Sequence, residues 1–321
     1  MPGVFDHGTS ATTDGRGAMS QPAVHTENLV KLYGRHQALA GLDLEVRPGE
    51  VFGFLGPNGA GKTTTIRLLL DLLRPTRGRV RVLGSDPRAG GARLRRRLGY
   101  LPGELRLEGR QTAGELLAFL ANLRGGVDPG RIRQLAERLE LDLSRPIREL
   151  SKGNRQKVGL VQAFMGDVEL LLLDEPSSGL DPLLQQEFMA MVREARAQGR
   201  TVFLSSHVLA EVEHVADRVG ILRAGRLVAT EAIEVLRRRA VRRVEIRFDH
   251  PVPAAAFQHL AGVRQVATDG EVLRCVVEGR ADALVKAAAQ FPVVSLLSHE
   301  PDLEEIFLTY YDAERGASRA A

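Results

Sequence analysis

Between Gly56 and Thr64 the chain reads GPNGAGKTT, with three glycines ahead of a single lysine. Glycine is costly in ordered structure unless the backbone must bend sharply or approach something closely. Gly56, Gly61, Lys62 and Thr63 keep the spacing G-x-x-x-x-G-K-S/T, in which backbone N–H groups wrap phosphate oxygens. Pro57, Asn58, Gly59 and Ala60 inside the spacing, and Thr64 after it, belong to the same cradle. A helix starting after Gly61 would aim the positive end of its dipole at the same anion. Lys62 would reach the β- and γ-phosphates of ATP, and the Thr63 hydroxyl would meet its Mg²⁺. The plain alternative is a glycine-rich turn with no ligand. The strand-like VFGFL before and the apolar-striped TTTIRLLL after favour phosphate, because the motif has this meaning only between a strand and a helix.

Asp174 closes the run LLLLD and Glu175 follows it. A carboxylate at the carboxyl end of a buried strand lies where open α/β sheets bind ligands. Asp174 is therefore a candidate Mg²⁺ contact through water. Glu175 is placed to orient or activate an attacking water. An acidic helix cap is the alternative for this pair, since Pro176 comes next.

The elements that must position these groups are legible in the hydrophobic pattern. GLDLEV and GRVRVLG alternate as half-buried strands, whereas VELLLLDE and GRTVFLSSH are continuous apolar runs, as in parallel strands buried on both faces. From about 109 to 148 the pattern turns helical. Thr112 and Glu115 have capping-box spacing, and Asp128-Pro129 predicts an N-cap with a first-turn proline. Ile132, Leu135 and Leu139 would share one face of the helix that follows. Residues 23–236 thus read as α/β with a helical insert. From 237 to 321 the order β-α-β-β-α-β predicts a small α+β, ferredoxin-like unit with an accessory role. A last helix would begin at Asp302, with Leu303, Ile306, Phe307 and Tyr310 on one side.

Bulk properties narrow the function classes. The 321 residues allow one large unit plus a small one, and 44% hydrophobic content allows a full core. Net charge is +4, compatible with polyanionic ligands or an anionic membrane face. Aromatics are only 5% and no basic stripe is interleaved with them, so no nucleic-acid partner is expected. Lysine occurs only at 31, 62, 152, 157 and 286; the arginine excess reads as genome composition. The arginine runs 95–97 and 237–239 read as solvated helix faces. Cys275 is the sole cysteine, so no internal disulfide can form, and its apolar strand makes it a core residue. No apolar run is long enough to span a bilayer. The first 22 residues lack a signal core and read as a disordered tail, with Met19 an alternative start.

Further motifs carry a family resemblance over residues 25–235. LSKGNRQK at 150–157 resembles the LSGGQ signature of ATP-binding cassette (ABC) proteins, and it precedes LLLLDEPSSGLDP as in that family. The resemblance implies an α/β P-loop ABC ATPase with a helical subdomain and an antiparallel β subdomain. Tyr33 matches the aromatic that stacks on adenine, Asp181 the D-loop and His207 the switch histidine that senses γ-phosphate. Ser151 and Gly153 match signature residues that contact the γ-phosphate of a partner protomer's ATP. Glu175, His207 and Lys62 would carry hydrolysis, with ATP and Mg²⁺ as cofactors.

Two departures stand out. Lys152 and Asn154 replace glycine and glutamine of the signature. In GYLPGEL at 99–105, Gly103 aligns with the family's metal-binding glutamine, so Glu104 is the candidate metal ligand in its place. The resemblance implies a homodimer or paralogous heterodimer at the cytoplasmic face of a bacterial membrane, working with separate multi-span permease subunits. A permease helix would dock near 101–124. PDLEEIFLTYY at 301–311 resembles the tail of drug and antibiotic exporter ATPases, which implies export. An importer ATPase, or a soluble mechanical ATPase acting on ribosome or DNA, is the alternative.

Overall fold

The computed structural model describes residues 21–239 and 242–299. Residues 1–20 of the expected tail, the helix expected from Asp302 and the side chains of Arg237–Arg239 lie outside the described residues.

The chain opens with β1 (Val24–Tyr33), β2 (His36–Val46) and β3 (Val51–Leu55). Then come α1 (Lys62–Leu69), β4 (Arg77–Val82), α2 (Pro87–Arg96) and β5 (Leu98–Leu101). A helical stretch follows: α3 (Ala113–Leu123), α4 (Pro129–Arg138), a 3-10 turn at Ile147–Glu149, and α5 (Lys152–Phe164). The chain returns through β6 (Leu170–Asp174), α6 (Pro182–Ala197), β7 (Thr201–Ser206), α7 (Leu209–Glu213), β8 (Arg218–Arg223), β9 (Arg226–Ala232) and α8 (Ile233–Arg239).

Six of these strands form one sheet in the order β5-β6-β7-β3-β8-β9, parallel except for the antiparallel β8–β9 pair. β3 and β6 therefore lie on either side of β7, and their carboxyl ends open at the same edge. This brings the loop after Leu55 to the loop after Asp174. Leu170, Leu171, Leu172 and Leu173 are fully buried. Burying one such side chain contributes about 1.5–3 kcal/mol, which anchors the acidic end of β6 firmly. β2, β1 and β4 form a separate antiparallel sheet. Its inward residues Leu29, Leu42 and Val82 share a core with Phe52, Phe54 and Phe203 of the large sheet.

The helical stretch packs through the faces read from the sequence. Thr112 and Glu115 form a complete capping box, and Asp128 caps α4 ahead of Pro129. Ile132, Leu135 and Leu139 are buried with Leu117, Val158 and Val161. Arg138 pins α4 to α6 through hydrogen bonds to Glu187 and Glu194. Arg97 departs from a solvated face: its guanidinium grips the Glu169 carboxylate in a two-pronged pair, joining the end of α2 to the start of β6. The pairing holds that carboxyl below its usual range.

The last described stretch holds β10 (Arg242–Phe248), α9 (Ala255–Gln258), β11 (Val263–Asp269), β12 (Val272–Val277), α10 (Asp282–Ala288) and β13 (Val293–His299). Its strands form an antiparallel sheet in the order β11-β12-β10-β13. Val244, Ile246, Phe248, Phe257, Leu273 and Leu284 form its own core, and Cys275 is buried within it.

Candidate functional site

The glycine-rich loop runs from Leu55 of β3 into α1. Gly61 takes φ +113, and a Cβ there would meet the Ala38 carbonyl at 2.7 Å. At Gly56 a Cβ would press to 2.4 Å from the Leu222 carbonyl. Both positions exclude any side chain, one by conformation and contact, the other by contact. The first N–H groups of α1 have no partners within the helix, so the loop presents donors at its mouth. Pro57, Asn58, Gly59, Gly61, Lys62, Thr63 and Thr64 all line one cavity of about 260 Å³, and Tyr33 and Glu175 line it too. Tyr33 is 43% exposed, with the Lys31 ammonium 5.3 Å from its ring centre. His36 and Ala38 also line the cavity; no motif marked them.

Lys62 is 5% exposed. Its Nζ donates to the Gly56 carbonyl at 2.7 Å and lies 3.1 Å from Glu175 Oε1. Glu175 Oε2 lies 2.7 Å from His207 Nδ1. The three residues with catalytic expectations thus form one connected chain of contacts. Glu175 has φ +48, a left-handed backbone that costs a non-glycine residue about 1–3 kcal/mol. Its N–H is held by both the carbonyl and the hydroxyl of Ser205 on β7, at 3.2 and 3.1 Å.

Asp174 is fully buried. Its Oδ1 accepts the Ser205 hydroxyl at 2.6 Å, while Oδ2 has no hydrogen-bond partner among the described residues. A buried carboxylate oxygen without a partner is costly, and a hard cation or its hydration water is the natural complement. The oxygen donors of Asp174 and Thr63 suit Mg²⁺ in type. Burial, and then the Asp174 charge, raise the Tyr100 hydroxyl above its ordinary pKa.

Glu104 does not join this group. Its carboxylate is largely exposed and takes hydrogen bonds from Arg106 at 3.1 and 2.9 Å. The position that faces Asp174 is Gly103, where a Cβ would lie 3.1 Å from Asp174 Oδ2. Arg106 thus holds the Glu104 side chain, and the loop meets Asp174 at Gly103 through bare backbone.

Ser151, Gly153 and Asp181 sit outside the cavity. Ser151 caps α5 by accepting the Asn154 N–H, and Asp181 caps α6 by accepting from Leu183 and Leu184. Gly153 backs onto the Gly179 carbonyl, 2.8 Å from where its Cβ would be. Ser205, Glu211 and Gln156, whose side-chain amide donates to the Pro176 carbonyl at 3.1 Å, were missed by motif reading. Ser205 and Ser206 were findable as polar residues ending an apolar strand; Gln156 and Glu211 gave no such signal.

Fold and loop together define a P-loop nucleotide-binding protein of the α/β class. Comparison with known proteins takes the assignment further. The ABC transporter family model matches residues 39–178. A daunorubicin resistance ATP-binding protein of Streptomyces coeruleorubidus is 35% identical over 318 residues, covering 94% of this chain and all of that protein. A bacitracin transport ATP-binding protein of Bacillus licheniformis is 34% identical, covering 67% of this chain and 72% of the relative. An uncharacterised ABC transporter ATP-binding protein of a Nostoc species is 40% identical over 206 residues, and the match spans 61% of its length. Among solved structures, the ATP-binding subunit of an ABC transporter aligns with TM-score 0.62 at 32% identity, over 67% of this chain and 92% of the other. A dimeric cassette in a post-hydrolysis state with ADP and Pi aligns with TM-score 0.60 at 23% identity, over 65% and 98%, a likeness of fold. The chain belongs to the ABC transporter ATP-binding proteins, as an ATP-binding and ATP-hydrolysing subunit. Among the described residues no helix is long and apolar enough to cross a membrane.

Proposed function

We propose that this chain energises export of drugs, antibiotics or lipid-like compounds through separate membrane permease subunits, from the cytoplasmic face of the membrane. Full-length similarity to a daunorubicin resistance protein and to a Nod factor export protein supports that direction. The observation that carries the mechanism is the Lys62–Glu175–His207 chain at the mouth of the P-loop cavity.

In this reading the P-loop from Gly56 to Thr64 binds the ATP phosphates and Tyr33 stacks on adenine. Lys62 moves from its carbonyl partners to the β- and γ-phosphates, where its charge offsets that of the transition state. That frees Glu175 to orient water, and His207 holds the Glu175 carboxylate and meets the γ-phosphate. Thr63 and Asp174 would hold Mg²⁺, which neutralises phosphate charge when bound. Ser151 and Gly153, at the N-terminus of α5, would close on the ATP of a second protomer, with Asp181 nearby. Two such sites would make a head-to-tail dimer, of two copies or of paralogues.

The two units are taken as 23–236 for nucleotide binding and 237–321 for an accessory, ferredoxin-like function. The β-α-β-β-α-β order with β10 and β12 central supports the second. Phe119 and Leu123 of α3 are 58% and 62% exposed, which supports a permease contact on that surface. The test is to capture the Glu175→Gln chain from gently solubilised membranes of its host with Mg-ATP. Near-equal recovery of a multi-span membrane protein is expected. Ribosomal or DNA-bound partners without one would overturn the exporter reading.

A further inference from the structure

Two loops meet at the catalytic contact, and one half-buried carboxylate, that of Glu211, ties both. Glu175 begins the first loop, and His207 lies in the second, between β7 and α7. Two residues beyond Glu175, the Ser177 hydroxyl donates to Glu211 Oε2 at 2.5 Å. On the other side, the Ser206 hydroxyl lies 3.3 Å from the same oxygen and 3.2 Å from the Val208 carbonyl. The Val208 N–H returns a bond to Ser206 Oγ at 3.0 Å. Ser177 and Ser206 are buried, at 6% and 1% exposure, so neither hydroxyl can trade its partner freely for water. His207 is flanked on both sides by residues of this network.

We propose that Glu211 is a positioning residue for ATP hydrolysis, holding the Glu175 loop and the His207 loop in the register of their 2.7 Å contact. A carboxylate suits this place because one oxygen accepts the Ser177 hydroxyl in a bond shortened by its charge and shares the single Ser206 hydroxyl proton with the Val208 carbonyl. Glu211 itself touches no nucleotide in this scheme; it acts through Ser177 and Ser206. The inference rests on Glu175 and His207 being the catalytic pair proposed above.

The experiment compares Glu211→Ala, Glu211→Gln and Ser177→Ala in the full chain, with Mg-ATP hydrolysis and nucleotide affinity both measured. Glu211→Ala is expected to lower kcat about tenfold, a modest share of the roughly hundredfold that a 1 Å misplacement can cost. Nucleotide affinity and melting temperature should stay near wild type. Glu211→Gln keeps an acceptor for Ser177 and should recover most of the rate, and Ser177→Ala should fall between. Unchanged kcat in Glu211→Ala would overturn the proposal. So would equal loss in Ala and Gln variants, which would make charge and not position the cause. Parallel loss of affinity would likewise overturn it in favour of general support of the fold; if Glu211→Ala does not fold, unchanged kcat in Ser177→Ala overturns it instead. Glu175→Gln run alongside separates the two ideas. Wild-type turnover in that variant would sink the catalytic pair itself, whatever Glu211 does.

Discussion

Removing the Ser205 hydroxyl should reveal how much the buried carboxylate of β6 depends on its neighbour strand. Ser205 and Asp174 are paired across β6 and β7, and both are fully buried. In Ser205→Ala, Asp174 Oδ1 loses its 2.6 Å donor while Oδ2 already has none among the described residues. A hydrogen bond to a charged group contributes about 1.5–3 kcal/mol, and a buried charged group left bare costs at least that. The Glu175 N–H keeps the Ser205 carbonyl at 3.2 Å, so the loss at that donor is small. The expected destabilisation is about 2–3 kcal/mol. The chain has no tryptophan, so urea unfolding followed by circular dichroism is the assay. A double-mutant cycle with Asp174→Ala isolates the pair. Once Asp174 is gone, Ser205→Ala should cost little, giving a coupling of about 1.5–3 kcal/mol. Additivity within about 0.5 kcal/mol would refute the reasoning, because it would mean the two groups do not exchange energy across the strands.

Other outcomes follow from the same geometry. Lys62→Ala should weaken binding of a fluorescent ATP analogue at least about tenfold, through loss of a charge-assisted phosphate contact. Gly103→Ala should raise the Mg²⁺ needed for half-maximal nucleotide binding, because its Cβ would crowd Asp174 Oδ2 at 3.1 Å. Glu104→Ala should leave that Mg²⁺ titration unchanged, since its carboxylate is taken by Arg106. Arg138→Ala should destabilise the chain by about 1–2 kcal/mol in denaturant, through loss of the α4–α6 clamp. Arg138 holds the Glu194 carboxyl below its ordinary 4.5, so this contribution is complete above that pH and fades as pH falls through the lowered folded value. The stability gap between Arg138→Ala and wild type should narrow accordingly in acid. Burial raises the Cys275 thiol, so a water-soluble disulfide reagent should label it slowly in the folded chain and fast after unfolding.

Much of the architecture was legible because local chemistry repeats at short range. The glycine spacing at 56–61, the four leucines before Asp174, the capping box at Thr112 and the Asp128-Pro129 cap each encode their own conformation within a few residues. Side-chain direction was not legible. Glu104 carries the right chemistry near the right loop, yet Arg106, two residues away, takes its carboxylate. Arg97 looked like a member of a solvated run until Glu169, 72 residues later, came beside it.

By itself, then, the sequence determined the phosphate loop, the acidic end of β6 and the strands and helices that frame them, because glycine conformation, capping and hydrophobic period act over one to four residues. The tertiary structure alone decided that β7 lies between β3 and β6, which sets Ser205 under Asp174 and Glu175 and joins Lys62 to His207 through Glu175. It also decided that Glu211 closes on Ser177. These pairings span 31 to 113 residues of chain, beyond the reach of capping, glycine conformation and hydrophobic period. They exist because burying the apolar strands in one order, and not another, brings those polar ends to a single edge.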